Sequence, residues 1–417
     1  MIQRSRRVLQ QLGPGLITGA ADDDPSGIAT YSQAGAQFGY QLGWTLILTY
    51  PLMVAIQMVS ARMGRVTGHG LADNIRRHFP RPVLYAVVVM LLVANTINVG
   101  ADIAAMGEAL RLVIGGWAQF YSILFGVVCL VLQVFMSYRQ YVYYLKWLTL
   151  TLLAYVAVVF TVHVPLQDVL LGIFWPKIQF SAEMLTVIVA VFGTTISPYL
   201  FFWQAAQEAE DVRADPNANA LKLDPHGGRR HLRRIKIDTY IGMGFSNLIA
   251  LFIVISTAAT LHAAGITDIQ TSAQAAEALR PLAGEFTFIV FSLGIIGTGL
   301  LAVPVLAGSA AYAVSETFQW KGGLDSKLWE AREFYAIVAL ATIGGVALNF
   351  TKIDPIKALF WTAVINGVIA VPIMAVMMLL GANPEVMGTF TIRRRLQILG
   401  WLATLIMGAA VLAMVVI

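Results

Sequence analysis

Long apolar runs, separated by short polar segments, follow one another along the whole chain. A helix needs roughly 20 apolar residues to cross a bilayer. The pattern predicts eleven such helices: residues 12–38, 43–63, 82–107, 112–137, 145–165, 184–207, 238–261, 286–314, 333–350, 356–381 and 396–416. The first and the sixth are interrupted. In the first, Ala-Asp-Asp-Asp-Pro-Ser-Gly (Ala21 to Gly27) lies inside an apolar run. Three carboxylates at membrane depth are costly unless they face water, a cation or one another. Pro25 has no N–H and Gly27 tolerates almost any backbone angle, so the helix is expected to stop and restart there. Such a break frees backbone carbonyls beside Asp24, and hard divalent cations take oxygen ligands of this kind. In the sixth, Val-Phe-Gly-Thr-Thr-Ile-Ser-Pro-Tyr (Val191 to Tyr199) puts Gly193, two threonines, Ser197 and Pro198 in mid-span. Two interrupted segments at matching places in two halves point to a transport site between inverted repeats.

Composition agrees with an all-α polytopic membrane protein. Of 417 residues, 58% are hydrophobic and 12% charged, against about 25% charged in soluble chains. The first span carries aspartates and no small-residue cleavage pattern, so it reads as a retained helix and not as a signal peptide. With the N-terminus in the cytoplasm, only Arg111, Lys177, Arg280, Lys352 and Lys357 of the 28 Lys and Arg fall outside the cytoplasmic segments. That is the positive-inside pattern for an odd number of helices, with the C-terminus outside the plasma (inner) membrane. It accounts for the net charge of +5 without nucleic acid. The basic stretch Leu221–Arg234 reads as a solvated loop that touches anionic lipid at most. The single cysteine, Cys129, rules out a disulfide within the chain and a multi-cysteine metal cluster. Nothing in the sequence indicates a bound cofactor or an obligatory protein partner.

Gly13-Pro14-Gly15, followed by Asp24-Pro25-Ser26-Gly27 and by the proline break of the sixth helix, resembles the Nramp (natural resistance-associated macrophage protein) divalent-metal transporters. Their first helix reads Gly-Pro-Gly and then Asp-Pro-Gly-Asn, and their sixth carries Met-Pro-His. The resemblance extends over essentially the whole chain in helix count, topology and position of the breaks. It implies a leucine-transporter-like fold of two inverted five-helix repeats in one domain. Here the repeats are about 12–165 and 184–381, with 396–416 as an added helix. It implies that Asp24 is the metal-binding aspartate and that Ala21 and Thr194 turn backbone carbonyls toward the ion. Asp102 matches an acidic residue of the family's proton pathway. Asn366 falls near a polar residue that joins the site in the occluded state.

The departures from the family pattern have a chemical direction. Gly27 stands where the family has a ligand asparagine, Ser197 where it has methionine and Tyr199 where it has histidine. In the third helix, Ala105 replaces a glutamate. Thioether sulfur favours softer transition metals. Without it the expected donors are all oxygen: the Asp24 carboxylate, the carbonyls of Ala21, Gly27 and Thr194, and the Ser197 hydroxyl. Mg²⁺ takes near-octahedral oxygen and sheds water reluctantly, and the smaller side chains are expected to make room for that water. Loss of the histidine and the glutamate removes groups able to relay protons. These features are similar to those of the Nramp-related magnesium transporters. They predict a secondary transporter, not an enzyme, that takes up hydrated Mg²⁺ and also Mn²⁺ by alternating access without proton coupling.

Two other transporter readings use the same fold: a proton-coupled Mn²⁺/Fe²⁺ Nramp transporter, and a sodium-coupled amino-acid transporter whose substrate carboxylate an aspartate at the break would oppose. An intramembrane aspartic protease needs two converging aspartates, and Asp102 lacks a Gly-x-Gly-Asp setting. Asp23, Tyr199, Asn366 and Asp102 are candidates for groups behind the ligands or along the pathway. Asp22 and Asp23 are expected to draw cations at a vestibule, or Asp22 to sit in water near the cytoplasmic mouth, and Asp102 to serve as a hydrogen-bond partner of the third helix. Asn95 and Asn98 are expected to bond to neighbouring helices. Trp44, Trp117, Trp147, Trp175 and Trp401 read as interface anchors.

Overall fold

The computed structural model describes residues 14–136, 148–214, 219–324, 326–350 and 353–417. Within them the secondary structure is helical throughout. The first span is two helices, α1 (Pro14–Asp22) and α2 (Pro25–Phe38), and the second is α3 (Gly43–Thr67). A short helix, α4 (Leu71–His78), precedes α5 (Arg81–Ile114) and α6 (Ala118–Phe135). Span five contains α7 (Leu153–Thr161), after which α8 (Leu166–Phe174) turns away by 119°. Span six is again two helices, α9 (Ala182–Thr195) and α10 (Pro198–Ala214). Then come α11 (Gly228–Thr257), α12 (Thr287–Phe318), α13 (Arg332–Leu348), α14 (Pro355–Ala382) and α15 (Arg394–Val416).

Each predicted span coincides with one of these helices or broken pairs. By length and apolar composition alone, 8 helices of the described residues qualify as spans, or 9 with the bent α7–α8 pair. The shortfall from eleven has two sources. Helices α2 and α3 run on through a tight turn and count as one stretch, and α13 has only 17 residues. The start of span one, Gly13, residue 137, residues 145–147 with Trp147, and the charges Arg4, Arg6, Arg7, Arg139, Lys146 and Lys352 lie outside the described residues. Trp117 and Trp175 are strongly exposed at helix ends, and Trp44 and Trp401 are half-buried.

The basic stretch differs from its expected form. Helix α11 begins at Gly228, so Arg229 to Arg234 are helical. The backbone N–H groups of Leu221 and Lys222 donate to the carbonyls of Arg65 and Val66. Arg234 pairs with the buried Glu208 and lies 3.7 Å from Asp211. Carboxylates on α10 therefore extend the seventh helix into what charge alone marks as a loop.

Local chemistry sets both breaks. Proline disfavours a helical residue before it and cannot donate to the carbonyl four residues earlier. Asp24 is extended (φ −69°, ψ 170°) and caps α2: its side chain accepts from the Gly27 N–H, an N-cap bond. Pro25 leaves the Ala21 carbonyl without its helical donor. In the same way Pro198 leaves the Thr194 carbonyl without one.

Small residues let the broken helices sit deep in the bundle. A Cβ on Gly19 would strike the Gly242 backbone of α11, and one on Gly193 would strike Ala363 and Gly367 of α14. The Gly15 N–H donates to Asp238 Oδ2 at 2.7 Å, pinning α1 to α11. Gln57 of α3 donates to the Leu200 carbonyl of α10 at 2.9 Å. Outward faces of α5, α6, α13 and α15 carry exposed Val89, Val93, Phe120, Val127, Leu340, Ile343, Leu405 and Leu412, the surface expected against lipid chains.

Candidate metal-ion site

Asp24 lies at the centre of the first break and is buried. Its two carboxylate oxygens have different surroundings. Oδ1 accepts from the Gly27 N–H at 2.7 Å and from the Ser26 hydroxyl at 2.7 Å, so the capping turn holds it. Oδ2 turns toward other helices. It lies 3.3 Å from the Tyr199 hydroxyl of α10 and 3.4 Å from Nδ2 of Asn98 on α5. The Tyr199 hydroxyl also reaches the Ala21 carbonyl at 3.0 Å. One phenol thus spans the orphaned carbonyl and the carboxylate. The Tyr199 carbonyl is itself fixed by the Ser309 hydroxyl of α12 at 2.9 Å.

The second break meets the first at Gly27. A Cβ there would lie 3.2 Å from the Asp22 carbonyl oxygen, 3.2 Å from Thr194 Oγ1 and 3.3 Å from the Tyr31 ring. The space expected from the missing side chain is therefore filled by these neighbours, and Gly27 opens no room for water here. Ser197 bonds within its own break: its hydroxyl donates to the carbonyls of Gly193 at 2.6 Å and Thr194 at 2.9 Å. The hydroxyl oxygen keeps its lone pairs, and the Thr194 carbonyl keeps a second one.

Two other expectations change. Asp22 and Asp23 face neither water nor a vestibule; both are buried. Ser246 Oγ on α11 lies 2.6 Å from Asp22 Oδ2 and 3.0 Å from Asp23 Oδ1. The pairing of α1 with α11 carries them inward. Asp102 serves as no hydrogen-bond partner: among the described residues neither of its carboxylate oxygens has one. Its neighbourhood includes the buried Cys129 and the charge of Asp24, and Ala105 one turn on offers no polar group. Asn366 is buried on α14 beside Gly367, where α14 meets α9; its Nδ2 has no partner among the described residues, and no hydrogen bond joins it to Asp24. Asn95 does bond to a neighbouring helix, donating to the Leu306 carbonyl at 2.8 Å.

Asn98 bonds across to another element, as expected; that its partner is Asp24 itself is not foreseen. Its signal was present: Asn98 and Asp102 are four apart, on one face of an apolar helix. Ser246 carried no such signal, because a lone serine in a membrane helix usually bonds within its own turn.

Among the described residues, no three His, Cys, Asp or Glu side chains converge as a metal site. The donors gathered here are instead one carboxylate, proline-orphaned carbonyls and hydroxyls, a set suited to a hard cation. The C-terminal end of α1 adds a negative dipole end beside them. A separate cavity of about 400 Å³ is lined by Ala29, Gln33 and Gln37 of α2, Glu183 of α9, Asp268 and Lys357 among others, and by none of the site residues.

A family model described as "Natural resistance-associated macrophage protein-like" matches residues 15–417. The divalent metal cation transporter MntH of Klebsiella pneumoniae (strain 342) is 27% identical over 403 residues, covering 94% of this chain and 90% of that protein. MntH of Deinococcus radiodurans is 27% identical over 410 residues, covering 96% and 88%. Among solved structures, the Eremococcus coleocola manganese transporter in complex with an aromatic bis-isothiourea compound superposes with a TM-score of 0.75. It is 16% identical and covers 98% of this chain and 86% of that one. Mhp1, a nucleobase-cation-symport-1 family transporter in a closed conformation, gives 0.59 at 14% identity, over 97% and 91%. At these identities the two structures speak for a shared fold.

Proposed function

The chain belongs to the Nramp family, and on that premise we propose that it carries hydrated Mg²⁺, and Mn²⁺ with it, into the cell without moving protons. It is a divalent-metal transporter and an integral membrane protein, not an enzyme. The observation that carries the Mg²⁺ reading is the donor set at the two breaks. Asp24 with the Ala21 carbonyl, and Thr194 with Ser197, offer oxygen alone, with no thioether to favour a softer ion.

In this reading the ligands are Asp24, the carbonyls of Ala21, Gly27 and Thr194, and the Ser197 hydroxyl. Asp23 and Asn366 stand behind them or along the path, and Asp102, buried nearby, carries no proton for the transport step. Residues about 12–165 and 184–381 act as the inverted repeats, and alternating access moves the halves of spans one and six against the other helices. The protein sits in the plasma membrane with its N-terminus in the cytoplasm, as the placement of basic residues suggests. A potential negative inside favours entry by about 2.3 kcal/mol per charge per 100 mV, so about twice that for a divalent ion. That force suffices without protons. Ala105 and Tyr199 in place of the family's glutamate and histidine support an uncoupled carrier.

A second reading has Mn²⁺ as the main cargo and protons as the coupling ion; its Mn²⁺ part is favoured by the manganese transporter among the similar structures. One experiment separates the two. In proteoliposomes, Mn²⁺ uptake is followed with and without excess Mg²⁺, beside a trapped pH dye. Suppression by Mg²⁺ with no acidification is the expected result; Mn²⁺ entry indifferent to Mg²⁺ and accompanied by acidification would reverse the assignment.

A further inference from the structure

We infer that the Tyr199 hydroxyl oxygen is itself a ligand of the transported cation, in addition to the donors that the family pattern supplies. The inference rests on the reading above that Asp24 and the Ala21 carbonyl bind the ion. Its basis is distance. In octahedral coordination with metal–oxygen bonds of 2.0–2.1 Å, neighbouring ligand oxygens lie about 3 Å apart. The Tyr199 hydroxyl oxygen is 3.0 Å from the Ala21 carbonyl and 3.3 Å from Asp24 Oδ2. It therefore stands at about the edge length of an octahedron from the Ala21 carbonyl and a few tenths of an ångström beyond it from Asp24 Oδ2, reaching in from the second break.

The side chain has nowhere else to go. Tyr199 is buried, follows Pro198 at the start of α10, and has its carbonyl tied to Ser309 on α12. The hydroxyl has one hydrogen, shared here between two acceptors, and two lone pairs. When a cation takes the Ala21 carbonyl and Asp24 Oδ2, that hydrogen has lost its acceptors. Rotation about the Cζ–O bond turns it away and leaves the oxygen facing the ion. The phenol stays neutral, so no proton leaves the site, and the single negative charge remains on Asp24. Histidine at this position would offer nitrogen, which suits transition metals over Mg²⁺. Tyrosine keeps the donor set hard.

The opposite role for the same contact is a plug: a phenol that satisfies the carbonyl and carboxylate and must be displaced before an ion can bind. The two roles differ in the sign of one mutation. Tyr199→Phe removes the hydroxyl. A plug lost in this way frees both acceptors and tightens binding. A ligand lost weakens it.

The test is calorimetric titration of the purified full chain with MgCl₂ and with MnCl₂, using wild type, Tyr199→Phe, Tyr199→His and Asp24→Ala. Tyr199→Phe is expected to bind both ions about tenfold or more weakly, at least the loss that follows when a group supporting a ligand is removed from a metal site. Tyr199→His is expected to keep Mn²⁺ and lose Mg²⁺. Unchanged or tighter binding in Tyr199→Phe overturns the inference. If that variant does not purify intact, unchanged Mg²⁺ affinity in Tyr199→His overturns it instead. Asp24→Ala separates the two levels. Loss of binding there with Tyr199→Phe unaffected removes the tyrosine alone. Binding that survives Asp24→Ala removes the site assignment and the tyrosine with it.

Discussion

The two breaks are built on one device and satisfied in opposite ways. Each has a proline whose missing N–H orphans the carbonyl four residues earlier, Ala21 before Pro25 and Thr194 before Pro198. At the second break the chain repairs itself, because Ser197 donates to the Gly193 and Thr194 carbonyls. At the first, the repair comes from elsewhere: Tyr199 covers the Ala21 carbonyl, and Asn98 and Tyr199 reach Asp24. Local satisfaction leaves the Gly193–Ser197 stretch neutral, while Tyr199 at the end of the same break reaches across to the first. Satisfaction by other helices ties the charged half to α5 and α10, so a change at the ion is felt by elements that must move. An orphaned carbonyl is thus necessary for such a site, and its partner decides how far a change there is felt by other helices.

The largest expected effect comes from removing the charge on the first side. Asp24→Ala should abolish divalent binding and uptake, while the protein still runs as a single species in detergent. The carboxylate is the one anionic donor in the proposed ligand set, and the hydroxyls and carbonyls opposite it cannot hold a hydrated divalent ion alone. Calorimetry with Mg²⁺ and Mn²⁺ checks it, and undiminished heat in the variant would return the charge to another residue.

Next is a contrast in stability between the glycines of the two breaks. Gly193→Ala pushes a methyl group into the backbone of α14 at Ala363 and Gly367, which cannot yield without moving a helix. A loss of about 1–3 kcal/mol or more is expected for such overpacking. Gly27→Ala meets the Asp22 carbonyl, Thr194 Oγ1 and Tyr31 at 3.2 to 3.3 Å, where shifts of a few tenths of an ångström suffice. Thermal unfolding in one detergent should rank Gly193→Ala well below Gly27→Ala. The reverse order would mean that α9 and α14 are not packed as described.

The spans and the two breaks were legible because bilayer thickness and proline chemistry leave few alternatives. Asp24 was legible for the same reason: a carboxylate next to a helix-restarting proline has both charge and position. What stayed hidden depended on three-dimensional pairing. Nothing along the chain says that the Tyr199 phenol reaches the Ala21 carbonyl 178 residues away. Nothing says that Ser246 sits between Asp22 and Asp23. The expected space at Gly27 failed because absence of a side chain in sequence is not absence of atoms in a packed interior. The loop reading of Arg229–Arg234 failed, although Arg229, Arg230 and Arg233 are exposed as expected, because charge counts do not show that Glu208 waits on the facing helix for Arg234.

A smaller effect should follow from hardening or softening the second side. Ser197→Met restores a thioether and strips the internal donor from Thr194 and Gly193. It should shift preference toward Mn²⁺, read as weaker suppression of Mn²⁺ uptake by excess Mg²⁺. Adding Gly27→Asn should extend the shift only as far as Asp22, Thr194 and Tyr31 can move aside, so the double variant is expected to cost stability as well. Mg²⁺ competition left intact in Ser197→Met would mean that the second break does not discriminate between the ions.

The smallest effect is expected at Asp102, the buried carboxylate that belongs to neither break. Among the described residues it has no hydrogen-bond partner, and no polar group at position 105 follows it along α5. A proton relay needs a neighbour to receive what it gives up, and Tyr199 in place of histidine supplies no group that titrates near neutral pH. Asp102→Asn should therefore leave Mg²⁺ and Mn²⁺ entry unchanged in proteoliposomes, with the trapped pH dye silent before and after the substitution. Metal-driven acidification in wild type that disappears in Asp102→Asn would make this carboxylate the proton carrier. It would also show that a third location, outside both breaks, shares in the work of transport.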